Sequence, residues 1–313
     1  MSGTTQPSGA GVSLRRSQPR YGERVIEAVL FVAALVSILT TIGIVVAIVG
    51  PTIDFFREPA VTVWDFLTGT EWTALFAEDQ QQFGVLPLVS ATLVTSVIAM
   101  AVAIPVGLGA AIYLAEYASP RARSLFKPTL EVLAGIPTVV YGFFAVSFIT
   151  PNVLQSFLEV GTFNKLSPGL VMGVMIIPTV ATLSEDAMSA VPQALRDGAY
   201  GLGSTKRQVA TRVVVPAATS GIIAAFVLGI SRAVGETMIV ALAAGNQANL
   251  SLNPLELGQT MTGFIAQAAS GDQPTGSIGY ESLFAVAALL FAITILMNFV
   301  SIRLVRRYRE VYE

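Results

Sequence analysis

The sequence lacks cysteine and histidine and has few charged residues. Among its 313 residues there is no Cys and no His, and only 12% are Asp, Glu, Lys or Arg. The missing residue types exclude disulfides, thiolate chemistry, and metal or proton-relay sites built on histidine. A soluble domain carries about 25% charged residues, whereas 53% of this chain is hydrophobic. The composition therefore predicts a membrane protein.

A nucleotide-binding loop is also missing. No stretch has the pattern G-x4-G-K-[ST], and "GLGSTK" at 201–206 has neither that spacing nor a strand-to-helix context. Any energy that the function of this chain requires must then come from another chain or from an ion gradient.

Six apolar segments are long enough to cross a bilayer as helices, which takes roughly 20 residues. They predict an all-α polytopic membrane protein with six transmembrane helices within 25–310. The polar, Gly/Ser-rich residues 1–24 predict a disordered tail, and the long apolar run after them is typical of a retained span and not of a cleaved signal peptide. The predicted spans are 25–50, 84–114, 126–150, 168–191, 216–245 and 281–304.

The distribution of Lys and Arg predicts the orientation of these spans. With the N-terminus inside, 15 of the 18 basic residues fall on the cytoplasmic side. The outer loops then hold only Arg57 and Lys165, and Arg232 lies inside the fifth span. Because cytoplasmic loops carry an excess of Lys and Arg, we expect both termini to be cytoplasmic.

The stretch "SRAVGET", 231–237, places two charges in the fifth apolar run. A lone charge there costs about 2.5–3.5 kcal/mol on insertion scales. Arg232 and Glu236 are four residues apart, so on a helix they can form an ion pair that only holds the bundle together. Alternatively, Arg232 faces a pathway and offers its forked donors to an oxyanion, while Glu236 holds the guanidinium in place. The second interpretation is favoured because intramembrane ionisable residues are usually functional, and Ser231 and Thr237 could add hydroxyl donors.

Two further stretches leave alternatives open. Residues 246–280 contain a mildly amphipathic segment that is either a surface or re-entrant helix at the outer face, or a plain loop. Residues 134–142, "AGIPTVVYG", either expose backbone to a cavity or form a simple packing kink.

The segment between the fourth and fifth spans is more polar than a short connector needs to be. It predicts two short helices that meet at Gly201 and Gly203, and Thr205 with Gln208 fits a capping box at the start of the second helix. A bent, exposed pair of helices is a shape suited to docking, although a solvated loop is the simpler alternative.

This segment resembles the cytoplasmic motif E-A-A-x3-G-x9-I-x-L-P of the inner-membrane subunits of ABC importers. The spacing agrees at every position, with conservative replacements or departures at four of them. The resemblance implies that the segment about 194–213 couples the chain to an ATP-hydrolysing subunit. The matching residues are Asp197, Gly198, Ala199, Gly203, Val213, Val215 and Pro216.

Further stretches, including "IPVGLGAAIYLAEYA", "SRAVGETMIVALAAGN" and "NPLELGQTMTGFIAQAASGD", look like the permease subunits of the phosphate importer, and more like the PstC type than the PstA type. The resemblance implies a type I ABC permease fold in the prokaryotic inner membrane, with Arg232 and Glu236 important for transport. It also implies a PstA-like second permease, two ATPase subunits that bind Mg-ATP, and an extracytoplasmic phosphate-binding protein. The chain itself is then expected to bind phosphate and lipid, no nucleic acid and no cofactor or metal, and not to be catalytic.

Other functions are compatible with the residues alone. An ion-coupled secondary anion transporter would have an inverted repeat and midplane acids, and of these only Glu236 is present. An ABC permease for another oxyanion would need the same arginine, and a membrane scaffold or sensor would need no pathway.

Overall fold

The computed structural model describes residues 21–59, 61–271 and 273–307. In these ranges the chain is helical apart from its connections, and its one element of β-structure is an isolated bridge between Trp72 and Phe83. The predicted all-α class is therefore confirmed. Residues 1–20 of the predicted tail lie outside the described residues, whereas 21–24 already belong to the first helix.

The chain divides into a unit that ends at Ala47 and a unit that begins at Ile48, so the boundary falls within the first helix. The helices of the described ranges are α1 (Tyr21–Arg57), α2 (Val63–Thr68), α3 (Leu86–Ile112), α4 (Pro120–Gly135), α5 (Thr138–Phe144), α6 (Leu166–Ser189), α7 (Gln193–Gly201), α8 (Lys206–Val209), α9 (Val215–Ala217), α10 (Thr219–Val234), α11 (Met238–Ala243), α12 (Met261–Ser270) and α13 (Ile278–Arg307). Three π-helical stretches, Tyr113–Tyr117, Ala145–Leu154 and Ala210–Val214, continue α3, α5 and α8, and Glu78–Gln80 is a short 3-10 turn.

Four of the described helices are long and apolar enough to cross a membrane: α1, α3 with its π-helical end, α6 and α13. Two bent helix pairs bring the number to six if each pair is one span. The number of membrane-crossing segments is thus four to six by length and composition.

Helices α3 and α6 pack closely at the centre of the second unit, and glycines make this possible. A Cβ added at Gly173 would lie 2.8 Å from Val102 and 2.9 Å from the carbonyl of Ala99. One turn earlier in α6, a Cβ at Gly169 would lie 2.8 Å from Ile98. Small residues four apart let two membrane helices approach closely, so these glycines fix the contact of α6 with α3.

The predicted third span, 126–150, is not one straight helix. Residues 120–135 and 138–154 meet at 85°, because Pro137 holds Ile136 in an extended conformation and interrupts the helix. The first member of the pair, α4, carries Arg121, Arg123 and Lys127 and has no buried residue.

The predicted fifth span, 216–245, is broken twice. Residues 206–217 and 219–234 meet at 71° around Ala218. Helix α10 then ends at Val234, and α11 begins at Met238. The second break coincides with the charged stretch that the sequence singles out.

The two ends of this unit differ in composition. Residues 113–128 and 184–217, here called the basic end, carry half of the 14 Lys and Arg residues of 48–313. The opposite end, formed by 61–84, 155–165 and 245–277, has an aromatic core in which the Trp72 and Phe264 rings lie 4.8 Å apart. Helix α12 belongs to this core and buries Met261, Phe264 and Ala268. Of the alternatives for 246–280, the structure thus shows a helix.

Candidate substrate pathway and docking segment

Glu236 lies in the break between α10 and α11 and is 8% exposed. Its carboxylate accepts hydrogen bonds from the backbone N–H groups of Met238 at 3.1 Å and Ile239 at 3.4 Å. These are free donors of the first turn of α11, where the helix dipole also favours a negative charge. Glu236 therefore stabilises the start of α11.

Arg232 lies in the last turn of α10, and its side chain is exposed. Among the described side chains it makes no hydrogen bond and no ion pair within 4.0 Å. The ion pair with Glu236 that the sequence allows is therefore not formed in this conformation. The pairing of residues four apart needs a continuous helix, and the helix ends at Val234, between the two.

The two candidate hydroxyl groups, those of Ser231 and Thr237, differ in their surroundings. The Thr237 hydroxyl donates to the carbonyl of Gly235 at 3.4 Å, and the residue is partly exposed. The Ser231 hydroxyl is buried and has no hydrogen-bond partner in the described part of the chain. Neither hydroxyl forms a hydrogen bond with Arg232.

Two threonines, one in α12 and one in α3, hold the break in place. The Thr262 hydroxyl donates to the carbonyl of Glu236 at 2.6 Å, which connects α12 to the residue between α10 and α11. The Thr92 hydroxyl of α3 in turn accepts the backbone N–H of Met261 at 3.0 Å. Sequence reasoning missed both threonines, because each partner is distant along the chain.

The docking segment, defined here as Gln193–Ala217, has the two-helix form that the sequence predicts. Helix α7 ends at Gly201, and Gly203 has a φ of +82°, which favours glycine. The Thr205 side chain and Gln208 then form the predicted capping box. Leu202, at the turn between the helices, is 90% exposed, so an apolar side chain stands at the tip of the segment.

The motif residues lie in both arms of the docking segment. The first arm is α7, and the second arm is the helical stretch Lys206–Ala217. Asp197 is exposed and accepts the Gln193 side-chain amide at 3.0 Å, and Gly198 has open space around its Cα. Ala199, Val213 and Val215 are half-buried. Ala199 and Val215 pack on the apolar core below the segment, and Pro216 is exposed in α9.

Two sets of ion pairs lie at the basic end, and the sequence singled out neither. Arg196 of α7 contacts Glu116 at 3.0 Å, with side-chain exposures of only 11% and 5%. Lys127 of α4 contacts Glu185 of α6 at 2.6 Å, and Arg123 lies 3.4 Å from the same carboxylate. Both sets connect helices that are distant in sequence.

A buried lysine organises the opposite end. Lys165, which precedes α6 and lies outside the membrane-crossing helices, is fully buried, and its Nζ donates to the carbonyl of Ser251 at 2.6 Å. Burial lowers the pKa of Lys165, and the nearby charge of Glu256 partly opposes this. Hydrogen bonds from Ser251 and Asn253 lower the pKa of the exposed Glu256 carboxyl.

Comparisons with known proteins identify the family. Residues 103–310 match the family described as "Binding-protein-dependent transport system inner membrane component". The chain is 32% identical over 274 residues to the probable ABC transporter permease protein YqgH of Bacillus subtilis, covering 87% of this chain and 86% of that protein. It is 35% identical over 248 residues to the phosphate transport system permease protein PstC 1 of Mycobacterium tuberculosis, covering 72% and 73% of the two chains.

A solved structure supports the fold. A chain of a bacterial ABC transporter that imports the acidic polysaccharide alginate superposes with a TM-score of 0.63 at 15% identity, covering 93% of this chain and 100% of that one. The predicted fold of an ABC importer permease is confirmed. This chain belongs to the family of inner-membrane components of binding-protein-dependent transport systems.

Proposed function

We propose that this chain is a permease subunit of an ATP-driven phosphate importer and forms half of the translocation pathway. The observation that carries the proposal is the guanidinium of Arg232, which is exposed and unpaired among the described side chains, in the last turn of an apolar helix. The choice of phosphate rests on the PstC relatives.

Arg232 has the chemistry that a passing oxyanion needs. A guanidinium offers a planar fork of donors that matches two oxygens of a phosphate. Because the Glu236 carboxylate is engaged with the backbone of α11, it does not compete for these donors. Glu236 instead acts through the backbone, by holding the break that follows Arg232.

The exposure of Arg232 in the single chain fits a pathway that a second subunit completes. A charge that faced lipid at this depth would be costly, so a second, PstA-like permease is the partner that covers this face. Two ATPase subunits with Mg-ATP lie on the cytoplasmic side, one of them bound to the docking segment, and an extracytoplasmic phosphate-binding protein binds the opposite end. With six spans and both termini cytoplasmic, this arrangement puts the basic end inside, as the charge rule requires.

Phosphate uptake by the whole complex tests the proposal. The complex is reconstituted in proteoliposomes with Mg-ATP inside and loaded binding protein outside, and labelled phosphate is compared with labelled sulfate. We expect ATP-dependent uptake of phosphate and not of sulfate. Uptake that is independent of ATP and requires an ion gradient would instead identify a secondary transporter. Uptake of sulfate alone would identify a permease for another oxyanion.

Variants then test Arg232. We expect Arg232→Gln to lower phosphate uptake by about tenfold or more, since a charge-assisted bidentate contact contributes more than about 1.4 kcal/mol. Its apparent melting temperature should stay near the wild-type value, because the side chain makes no hydrogen bond or ion pair with the described residues. Arg303→Gln, an exposed arginine of α13, is the matched control. Wild-type uptake by Arg232→Gln would refute the role of Arg232.

A further inference from the structure

The docking segment contacts the end of α3 through two cationic side chains, one from each of its arms. Arg196 of α7 donates from Nε and Nη2 to one carboxylate oxygen of Glu116, at 3.2 and 3.0 Å. Lys206, the first residue of α8, lies 5.2 Å above the ring centre of Tyr117. Glu116 is thus contacted by the first arm and Tyr117, the next residue, by the second arm.

The Arg196 guanidinium also binds the end of α6. Its Nη2 donates to the carbonyl of Met188 at 2.8 Å, and its Nη1 donates to the carbonyl of Val191 at 2.6 Å. The last carbonyls of a helix have no partner within the helix, and a cation near them is favoured by the helix dipole. One side chain therefore joins α7, the end of α3 and the end of α6.

The burial of this ion pair is not explained by stability alone. The side chains of Arg196 and Glu116 are 11% and 5% exposed, so both charges lose much of their hydration. Apolar residues of similar volume often stabilise a protein as well or better, and apolar packing is already present here in Val209, Val214 and Met188. The ion pair adds direction to this contact, because a guanidinium bonds only in its plane.

The two contacted residues, Glu116 and Tyr117, lie where a displacement of the docking segment would be transmitted to the membrane helices. Glu116 and Tyr117 end the π-helical continuation of α3, and α3 packs against α6 through Gly169 and Gly173. A close-packed helix pair moves as a body and transmits strain. A movement of α7 would therefore shift the ends of α3 and α6 together.

We infer that Arg196 is a positioning residue that couples movement of the docking segment to α3 and α6 through Glu116. The inference rests on the proposed coupling of this chain to ATPase subunits. Lys127 provides the contrast, since it also forms a buried-carboxylate ion pair at the basic end, with Glu185, but joins α4 to α6 and forms no ion pair or hydrogen bond with the described residues of the docking segment.

The test compares transport with ATP hydrolysis in the reconstituted complex. The variants are Arg196→Gln, Glu116→Gln and the double variant, with Lys127→Gln as the matched control. Three quantities are measured: ATPase retained on the purified complex, ATP hydrolysis stimulated by the binding protein, and phosphate taken up per ATP hydrolysed. If the Arg196–Glu116 ion pair only supported the structure, its loss would not change the phosphate taken up per ATP hydrolysed in an assembled complex.

We expect Arg196→Gln and Glu116→Gln to retain the ATPase and its hydrolysis, while phosphate taken up per ATP falls about fivefold or more, the range of ordinary coupling energies. The double variant should be no worse than either single variant, because the two residues act as one unit. The control should keep the wild-type ratio.

Several outcomes would overturn the inference. A wild-type ratio of uptake to hydrolysis in Arg196→Gln and Glu116→Gln would show that the ion pair carries no coupling. Loss of the ATPase from both variants would show that the contact only shapes the docking surface. Failure of the wild-type complex to take up phosphate would instead refute the proposed function, and stimulation of hydrolysis by the binding protein would still report on coupling.

Discussion

The Glu236 carboxylate binds the backbone N–H of Met238, 3.1 Å away, and not the guanidinium of Arg232 four residues before it. The two charges of one short stretch therefore do different things. One is buried and shapes the backbone, and the other is exposed on the surface of the chain.

Replacing Glu236 should test its role at the start of α11. We expect Glu236→Ala to lower the free energy of unfolding by about 1 kcal/mol, the usual cost of losing a side-chain cap. Glu236→Gln should lose less, because an amide oxygen can still accept the N–H of Met238. Apparent melting temperatures of the detergent-solubilised chain would measure both. Equal melting temperatures for the wild type and Glu236→Ala would contradict the capping role.

Local signals in the sequence predicted the features that depend on local interactions. Apolar length located the four helices that are long and apolar enough to cross a membrane. The capping box at Thr205 and Gln208 is as expected, because its two residues are three apart and need no other part of the chain. The turn at Gly203 was also predictable, because glycine readily adopts the positive φ that is found there.

Features that depend on distant parts of the chain were not predictable. Gly235 was compatible with a continuous helix, and the bond from Thr262 to the carbonyl of Glu236, which holds the break, comes from 26 residues away. Arg196 and Glu116 are 80 residues apart. From the sequence alone, Arg196 could be recognised only as one of the basic residues between the fourth and fifth predicted spans.

The contact between α3 and α6 should be sensitive to side-chain size at Gly173. A larger residue there meets Val102 and the carbonyl of Ala99, so we expect Gly173→Leu to destabilise the chain by about 1–3 kcal/mol, the usual cost of overpacking. Gly109→Ala in α3 is the control, since a Cβ added there meets no atom within 4 Å beyond the neighbouring backbone of its own helix. Thermal unfolding in detergent should separate the two variants, and an unchanged melting temperature for Gly173→Leu would contradict the close approach.

The buried Lys165 should give the chain a measurable pH dependence. Because burial lowers its pKa, the folded chain loses this proton at a pH where the unfolded chain, with a pKa of about 10.4, still holds it. Stability then rises with pH between the lowered pKa and about pH 10.4. We expect the melting temperature of the wild type to increase relative to Lys165→Met across this window. A constant difference between the two proteins at all pH values would contradict the lowered pKa.

The cysteine-free sequence allows the orientation to be tested by single substitutions. Leu202 at the tip of the docking segment and Phe157 at the opposite end are 90% and 84% exposed, so each tolerates a small thiol. In intact spheroplasts we expect an impermeant maleimide to label Phe157→Cys and not Leu202→Cys. Lysis should make Leu202→Cys reactive when the chain is expressed without the proposed ATPase partner, which would otherwise cover the tip. Labelling of Leu202→Cys before lysis would place the basic end outside, contradicting the positive-inside assignment and with it the binding of an internal ATPase to the docking segment.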